Sequence, residues 1–213
     1  MATEEHIQDT VVEKEPGPLR LIVTLGVAGL VSGLCLVGAY IYTDPLIKAA
    51  KARALEAAIY EVLPGCTKFD VYELKGDHLE KARAGVGTGL RVFLGYDKGG
   101  AEIGYAIQSQ VAGFQDVVAG IFGYVPSSKT IIGFKVLESK ETPGLGDKII
   151  KDARFLENFK QLAVEPEIVL VKHGEKQQPN EVDAITGATI SSRAVVSLLN
   201  TGMKDWKEIL DKK

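Results

Sequence analysis

The chain has 213 residues, a formal charge of −3 at pH 7 and 46% hydrophobic residues, enough for one ordinary domain plus an appendage with a core that folds without disulfides. Lys and Arg are spread along the chain and not gathered into a stripe, which excludes the electrostatic footprint of a nucleic-acid binder. Cys35 and Cys66 form no C-x-x-C pair and His6, His78 and His173 are scattered, which excludes an iron-sulfur cluster or a zinc site built from this chain alone.

The first element is Leu21 to Tyr42, LIVTLGVAGLVSGLCLVGAYIY, a run without a charge. At about 1.5 Å per residue it crosses the roughly 30 Å hydrocarbon layer. A signal peptide is the competing reading, but such apolar regions span about 7–15 residues, and the acidic residues 1–20 lead here to no small-residue cleavage site. A retained anchor over 21–42 is expected, with Tyr40 and Tyr42 at the interface. Gly26, Gly29 and Gly33 share a helix face and include a G-x-x-x-G, which suits close approach by a second membrane helix, although glycine is common in such helices anyway. Lys14 and Arg20 before the span against Lys48, Lys51 and Arg53 after it lean weakly against an exported C-terminal domain, by too small a margin to set the orientation.

Asp44-Pro45 reads as an N-cap followed by proline at the first helical position, and Leu46, Ala50, Leu55, Ile59 and Val62 recur at helical spacing, so a connecting helix is expected over 43–64, ending at Leu63-Pro64-Gly65. Five β-rich runs follow: FDVYEL (69–74), LRVFLGY (90–96), AEIGYAIQ (101–108), VVAGIFGYV (117–125) and TIIGFKVL (130–137). Between the first two, Gly85 to Gly89 (GVGTG) is no dinucleotide fingerprint, because no strand and helix bracket it, and it reads as a hairpin or loop. The pattern next predicts a helix over Asp147–Lys160, a strand over Ile168–Val171, and a C-terminal helix from about Ile190 whose apolar stripe is Val195 or Val196, Leu199, Met203, Trp206 and Leu210. The fold class is α+β, with a twisted, mostly antiparallel sheet and flanking helices over residues 65–213.

Asp183 to Arg193, DAITGATISSR, places Thr186, Thr189, Ser191 and Ser192 around Gly187 just ahead of that last helix. A helix start leaves backbone N–H groups unpaired and carries about half a positive charge, which suits a phosphate, and Gly187 and Ala188 let one approach the backbone. The plainer reading is that Thr186 or Thr189 caps the helix while the serines are solvated. Spacing alone leaves both readings open.

The segment ITGATISS resembles the flavinylation motif of FMN-binding domains, in which the last threonine of a Ser/Thr-Gly-A-Thr unit is joined to FMN through a phosphoester bond. The second segment, Glu141 to Lys148 (ETPGLGDK), is similar to the loop that lies along the isoalloxazine ring in the G subunit of the Rnf electron transport complex and the C subunit of the sodium-pumping quinone reductase. Two such motifs in this order are far more specific than either alone, and the resemblance fits the Rnf protein better because its quinone reductase counterpart is usually longer. It implies FMN on Thr189, with Thr186, Gly187, Ala188, Ser191, Ser192 and helix N–H groups around the phosphodiester. Arg193 could add a positive charge or be merely solvated, and Asp183 organises the loop or serves the attaching enzyme and its metal ion.

In the second motif the resemblance implies a ring site from Glu141, Thr142, Gly144, Leu145 and Gly146, with Pro143 helping to shape a tight turn and Leu145 supplying an apolar face. Taken alone that segment also reads as an ordinary strand-to-helix turn. The implied protein is a single-pass inner-membrane electron carrier with its flavin domain outside the cytoplasm, partnered by the other proteins of the Rnf complex and matured by a flavin transferase. The alternatives are the same role in the quinone reductase and an anchored, flavin-free binding module. In none of them does the chain hold an acid-base, nucleophilic or metal centre of its own.

Overall fold

The computed structural model describes residues 17–75, 78–82 and 90–211. The Gly85–Gly89 segment, His6 and Lys14 lie outside these residues. Among those described, the chain divides into two compact units between Ala50 and Lys51.

Helix α1 spans Pro18–Val62 and has Pro45 inside it. The start expected at Asp44-Pro45 is therefore not a helix start. Pro45 has no N–H to offer the carbonyl one turn back, but a long apolar helix tolerates that loss. Asp44, in place of capping, pairs with Lys48 one turn on at 2.8 Å, and the Thr43 hydroxyl donates to the Ala39 carbonyl at 2.8 Å. The stretch around Leu25, Leu30, Leu34 and Leu36 is exposed, and it is long and apolar enough to cross a membrane. The helix closes at Val62, just ahead of Leu63-Pro64-Gly65, where Gly65 takes a positive φ of 87°.

In the second unit, strands β1 (Lys68–Lys75), β2 (His78–Ala82), β3 (Arg91–Tyr96), β4 (Glu102–Ala112), β5 (Val117–Val125), β6 (Thr130–Glu138) and β7 (Leu162–Ala163) form one sheet in the order β2-β1-β3-β4-β5-β6-β7. Every pairing in it is antiparallel. The five expected runs are β1, β3, β4, β5 and β6. Strand β2 is an addition to them, because HLEKA is short and charged with no apolar alternation.

The central strands are buried on both faces, which is why they read as almost continuous apolar runs. Val92, Leu94, Tyr105, Ile107, Phe122 and Tyr124 point into the main core. Their neighbours Phe93, Ala106 and Ile121 point the other way, against Ala58, Ile59 and Val62 from the end of α1.

The helix expected over Asp147–Lys160 is two: α2 (Lys148–Lys151) and α3 (Ala153–Glu157). The break is Asp152, extended at φ −78° and ψ 106°, whose carboxylate accepts the N–H groups of Arg154 and Phe155 and so caps α3. β8 (Val169–Val171) starts one residue later than expected and pairs in parallel with β9 (Glu181–Asp183), apart from the main sheet. Helix α4 (Thr189–Leu210) covers the main core with the expected stripe: Val195, Val196, Leu199, Met203, Trp206 and Leu210 are all buried. This helix fixes Thr189 on a rigid element.

Candidate functional site

The loop from β9 into α4 is set by backbone and serine bonds. Ala184 N–H donates to the Val171 carbonyl at 3.0 Å and Ala188 N–H to the Ile185 carbonyl at 3.0 Å, with Gly187 at φ 81° turning the chain between them. Ser192 is fully buried; it accepts from Ile185 N–H at 3.1 Å and donates to the Ala188 carbonyl at 3.0 Å, tying the loop to the first turn. Ser191 is buried as well, and its hydroxyl donates to Glu141 at 2.6 Å. Both serine hydroxyls, expected around a phosphodiester, are thus hydrogen-bonded within the protein.

The capping reading fails. The residue before the helix is Ala188 and no side chain caps it, so neither Thr186 nor Thr189 serves as the cap. The ladder opens with Ser192 N–H to the Ala188 carbonyl at 2.9 Å, which leaves the N–H groups of Thr189, Ile190 and Ser191 outside it. Thr186 and Thr189 are exposed, and among the described residues the Thr189 hydroxyl has no hydrogen-bond partner. Asp183 organises its surroundings: its carboxylate accepts Gly174 N–H at 2.7 Å and lies 3.4 Å from His173 Nδ1.

The Glu141–Lys148 segment is a tight turn. Leu145 N–H and Asp147 N–H both reach the Thr142 carbonyl, at 3.2 and 3.3 Å, and Gly144 has φ 79°. Asp147 accepts Gly144 N–H at 2.7 Å and Lys151 Nζ at 2.6 Å. The Lys151 hydrogen bond first, and the Gly144 N–H after it, hold the Asp147 carboxyl below its ordinary value. Gly144, with its positive φ, shapes this turn. Glu141, expected beside the ring, is buried with its carboxylate bonded to protein donors.

The two motifs meet. A hollow of about 380 Å³ is lined by Phe114, Thr142, Leu145, Gly187, Thr189 and Ile190 together with the buried Glu141, Ala188 and Ser191 and with Gly146. Phe114, Leu145 and Ile190 are 60%, 52% and 52% exposed, an uncovered apolar group of the kind that marks a binding surface. A second hollow, of about 460 Å³, shares Gly187 and Thr189 with the first and is lined by Lys172, His173, Thr186 and Arg193 together with the apolar Leu170, Val171, Ala184 and Ile185. Sequence reasoning missed Phe114, Lys172 and His173. The only signal for Phe114 is a bulky aromatic in the otherwise polar turn GFQD between two strands.

These residues fit FMN. A flat apolar ring suits the first hollow, a phosphoryl group suits unpaired helix N–H groups with cationic neighbours, and an exposed, unbonded threonine hydroxyl stands between the two. Residues 113–204 match the FMN-binding domain family. The G subunit of the ion-translocating oxidoreductase complex of Methanosarcina acetivorans is 32% identical over 184 residues, which cover 86% of this chain and 92% of the relative. The G subunit of the Na(+)-translocating ferredoxin:NAD(+) oxidoreductase complex of Acetobacterium woodii is 30% identical over 176 residues, 78% of this chain and 81% of that protein. The crystal structure of Shewanella oneidensis NqrC superposes with a TM-score of 0.64 at 20% identity, over 78% of this chain and 100% of that one, a likeness of fold.

Proposed function

Because the chain belongs to the G-subunit family of ion-translocating oxidoreductase complexes, we propose that it is the membrane-anchored flavin carrier of an Rnf-type ferredoxin:NAD oxidoreductase, with FMN joined to Thr189 by a phosphoester. The observation that carries this reading is the position of Thr189 between an apolar hollow and a second one that carries Lys172 and Arg193. Bound FMN supplies the redox chemistry. The chain's own residues hold it: Thr189 offers the attachment oxygen, and the N–H groups of Thr189, Ile190 and Ser191 face the phosphoryl end with Arg193 and Lys172 nearby. Phe114, Leu145 and Ile190 meet the ring and displace water from it. A phosphoester removes cofactor dissociation in every redox state.

In this reading residues 1–20 are cytoplasmic, 21–42 cross the inner membrane, 43–64 continue outward, and 65–213 lie outside the cytoplasm, where a flavin transferase attaches the cofactor and other proteins of the complex exchange electrons with it. A flavin there cannot be replaced from a cytoplasmic pool, which gives the covalent link its purpose. Side is testable with Lys98→Cys in the exposed turn between β3 and β4. A membrane-impermeant thiol reagent labels it in intact cells; protection until lysis would reverse the topology.

Attachment is tested by co-expressing the chain with a flavin transferase and reading flavin fluorescence in a denaturing gel. The wild-type band fluoresces and Thr189→Val does not. A fluorescent Thr189→Val band would move the linkage elsewhere, and a dark wild-type band would favour the flavin-free module.

A further inference from the structure

Glu141 is only 6% exposed, and its carboxylate, which the motif resemblance sets at the ring, is bonded on both oxygens to the protein. One carboxylate oxygen, Oε1, accepts the backbone N–H of Phe114 at 2.7 Å and that of Gln115 at 3.3 Å. The other, Oε2, accepts the Ser191 hydroxyl at 2.6 Å. The side chain of Gln115 also donates to Thr142 Oγ1 at 3.0 Å, beside the same junction. Three stretches of chain far apart in sequence thus converge on one carboxylate: the loop between β4 and β5, the turn 141–146, and the first turn of α4.

The backbone is shaped to let them converge. A Cβ on Gly113 would lie 2.4 Å from Oε1, and one on Gly146 would lie 2.6 Å from Oε2 and 2.8 Å from Ser191 Oγ. Only glycine lets the chain close on the carboxylate from both sides. Each joined stretch also carries a wall of the apolar hollow: Phe114 from the first, Leu145 from the second, Thr189 and Ile190 from the third. A buried carboxylate is strongly unfavourable unless donors fill its lone pairs, so removing it unties the β4–β5 loop and the start of α4 from this turn and strands their donors.

We propose that Glu141 is a positioning residue of the flavin site: it fixes the walls that meet the ring relative to the attachment residue Thr189, without touching the flavin. The inference rests on the assignment of FMN to Thr189. A ring tethered only at its phosphate end takes its place from the walls around it, and those walls keep their spacing through this one side chain.

The test uses the full-length, flavinylated chain in four forms: wild type, Glu141→Ala, Glu141→Gln and Ser191→Ala. Glu141→Ala and Ser191→Ala keep flavin fluorescence in a denaturing gel, but their native visible band shifts toward that of free FMN, native emission rises and the midpoint potential moves. Glu141→Gln retains an oxygen for the two N–H groups and can donate to the Ser191 hydroxyl, so it restores the wild-type band. Gln carries no charge, and its recovery assigns the effect to geometry. Wild-type band and potential in flavinylated Ser191→Ala and Glu141→Ala overturn the proposal, as does a Glu141→Gln spectrum as displaced as that of Glu141→Ala. Ser191→Ala removes a single hydroxyl and decides the matter alone where Glu141→Ala fails to fold. A wild-type chain without covalent flavin overturns the attachment reading itself, which separates the two failures.

Discussion

The two sides of Thr189 differ in kind. On one side Phe114, Leu145 and Ile190 leave apolar surface open to solvent; on the other stand Lys172, His173 and Arg193. A loop that only connected β9 to α4 would need no open apolar group, since exposed apolar surface gains about 25 cal/mol per Å² on being covered. The pairing suits a molecule with a flat apolar end and an anionic end, attached where the two surroundings meet. On the proposed assignment, changes on the apolar side are expected in the ring's spectrum and potential, and changes on the side of Lys172 and Arg193 in attachment.

The strongest way to break the comparison is to put an anion on the apolar side. Leu145→Asp leaves attachment at Thr189 intact, but a carboxylate within about 4 Å of the ring makes an added electron roughly 1 to 4 kcal/mol less favourable, between the limits for water and for a protein surface. The midpoint potential falls and electron transfer through the complex slows, by redox titration and turnover. An unchanged potential in a folded, fully flavinylated variant would remove this loop from the ring site.

A smaller effect comes from the opposite side. Arg193 is exposed, so Arg193→Ala changes the phosphoryl interaction by about 0.2–1 kcal/mol, in the range of solvent-screened pairs. The yield of flavinylated protein in a timed attachment assay falls up to several-fold, while the visible band and the potential stay those of the wild type. A shifted band would mean that the two sides are not separable.

The smallest effect lies behind the turn. Asp147 supports Gly144 and pairs with Lys151, and its folded carboxyl titrates below its ordinary value. A depressed carboxyl contributes stability above the unfolded carboxylate range and loses it as the pH falls through the folded value. Asp147→Asn therefore lowers the melting temperature slightly near neutral pH, and its curve merges with the wild-type curve in acid. Flavin content and spectrum do not change. A gap between the curves that widens in acid would reverse the sign.

Much of this is legible in the sequence, and the losses have physical causes. Strands buried on both faces announce themselves as apolar runs, so β1, β3, β4, β5 and β6 are readable, whereas β2, β7 and β9 are short, and two of them charged, and gain their pairing only from neighbours. The helix over 147–160 divides because Asp152 caps a second helix instead of continuing the first. Asp44-Pro45 looks like a start because a cap signal carries no information about whether an apolar helix already runs through it. In the site, both motifs can be picked out by pattern, and the structure brings them to one hollow that Thr189 lines. The uses of Ser191, Ser192 and Glu141 cannot, since a hydroxyl or carboxylate near a motif reads the same whether it faces a ligand or another segment of chain. Phe114 is invisible because its importance comes from a hollow whose other walls lie far away in sequence.

The central claim, that Thr189 is the point at which the two sides are joined by one covalent cofactor, is tested most directly by mass spectrometry of the proteolysed, flavinylated chain. The account predicts that the peptide spanning Thr186 to Arg193 carries the mass of FMN less one water, with fragment ions locating it on Thr189 and none on Thr186, Ser191 or Ser192. An unmodified Thr189 in a yellow preparation, or the increment on any of the other three hydroxyls, would contradict it.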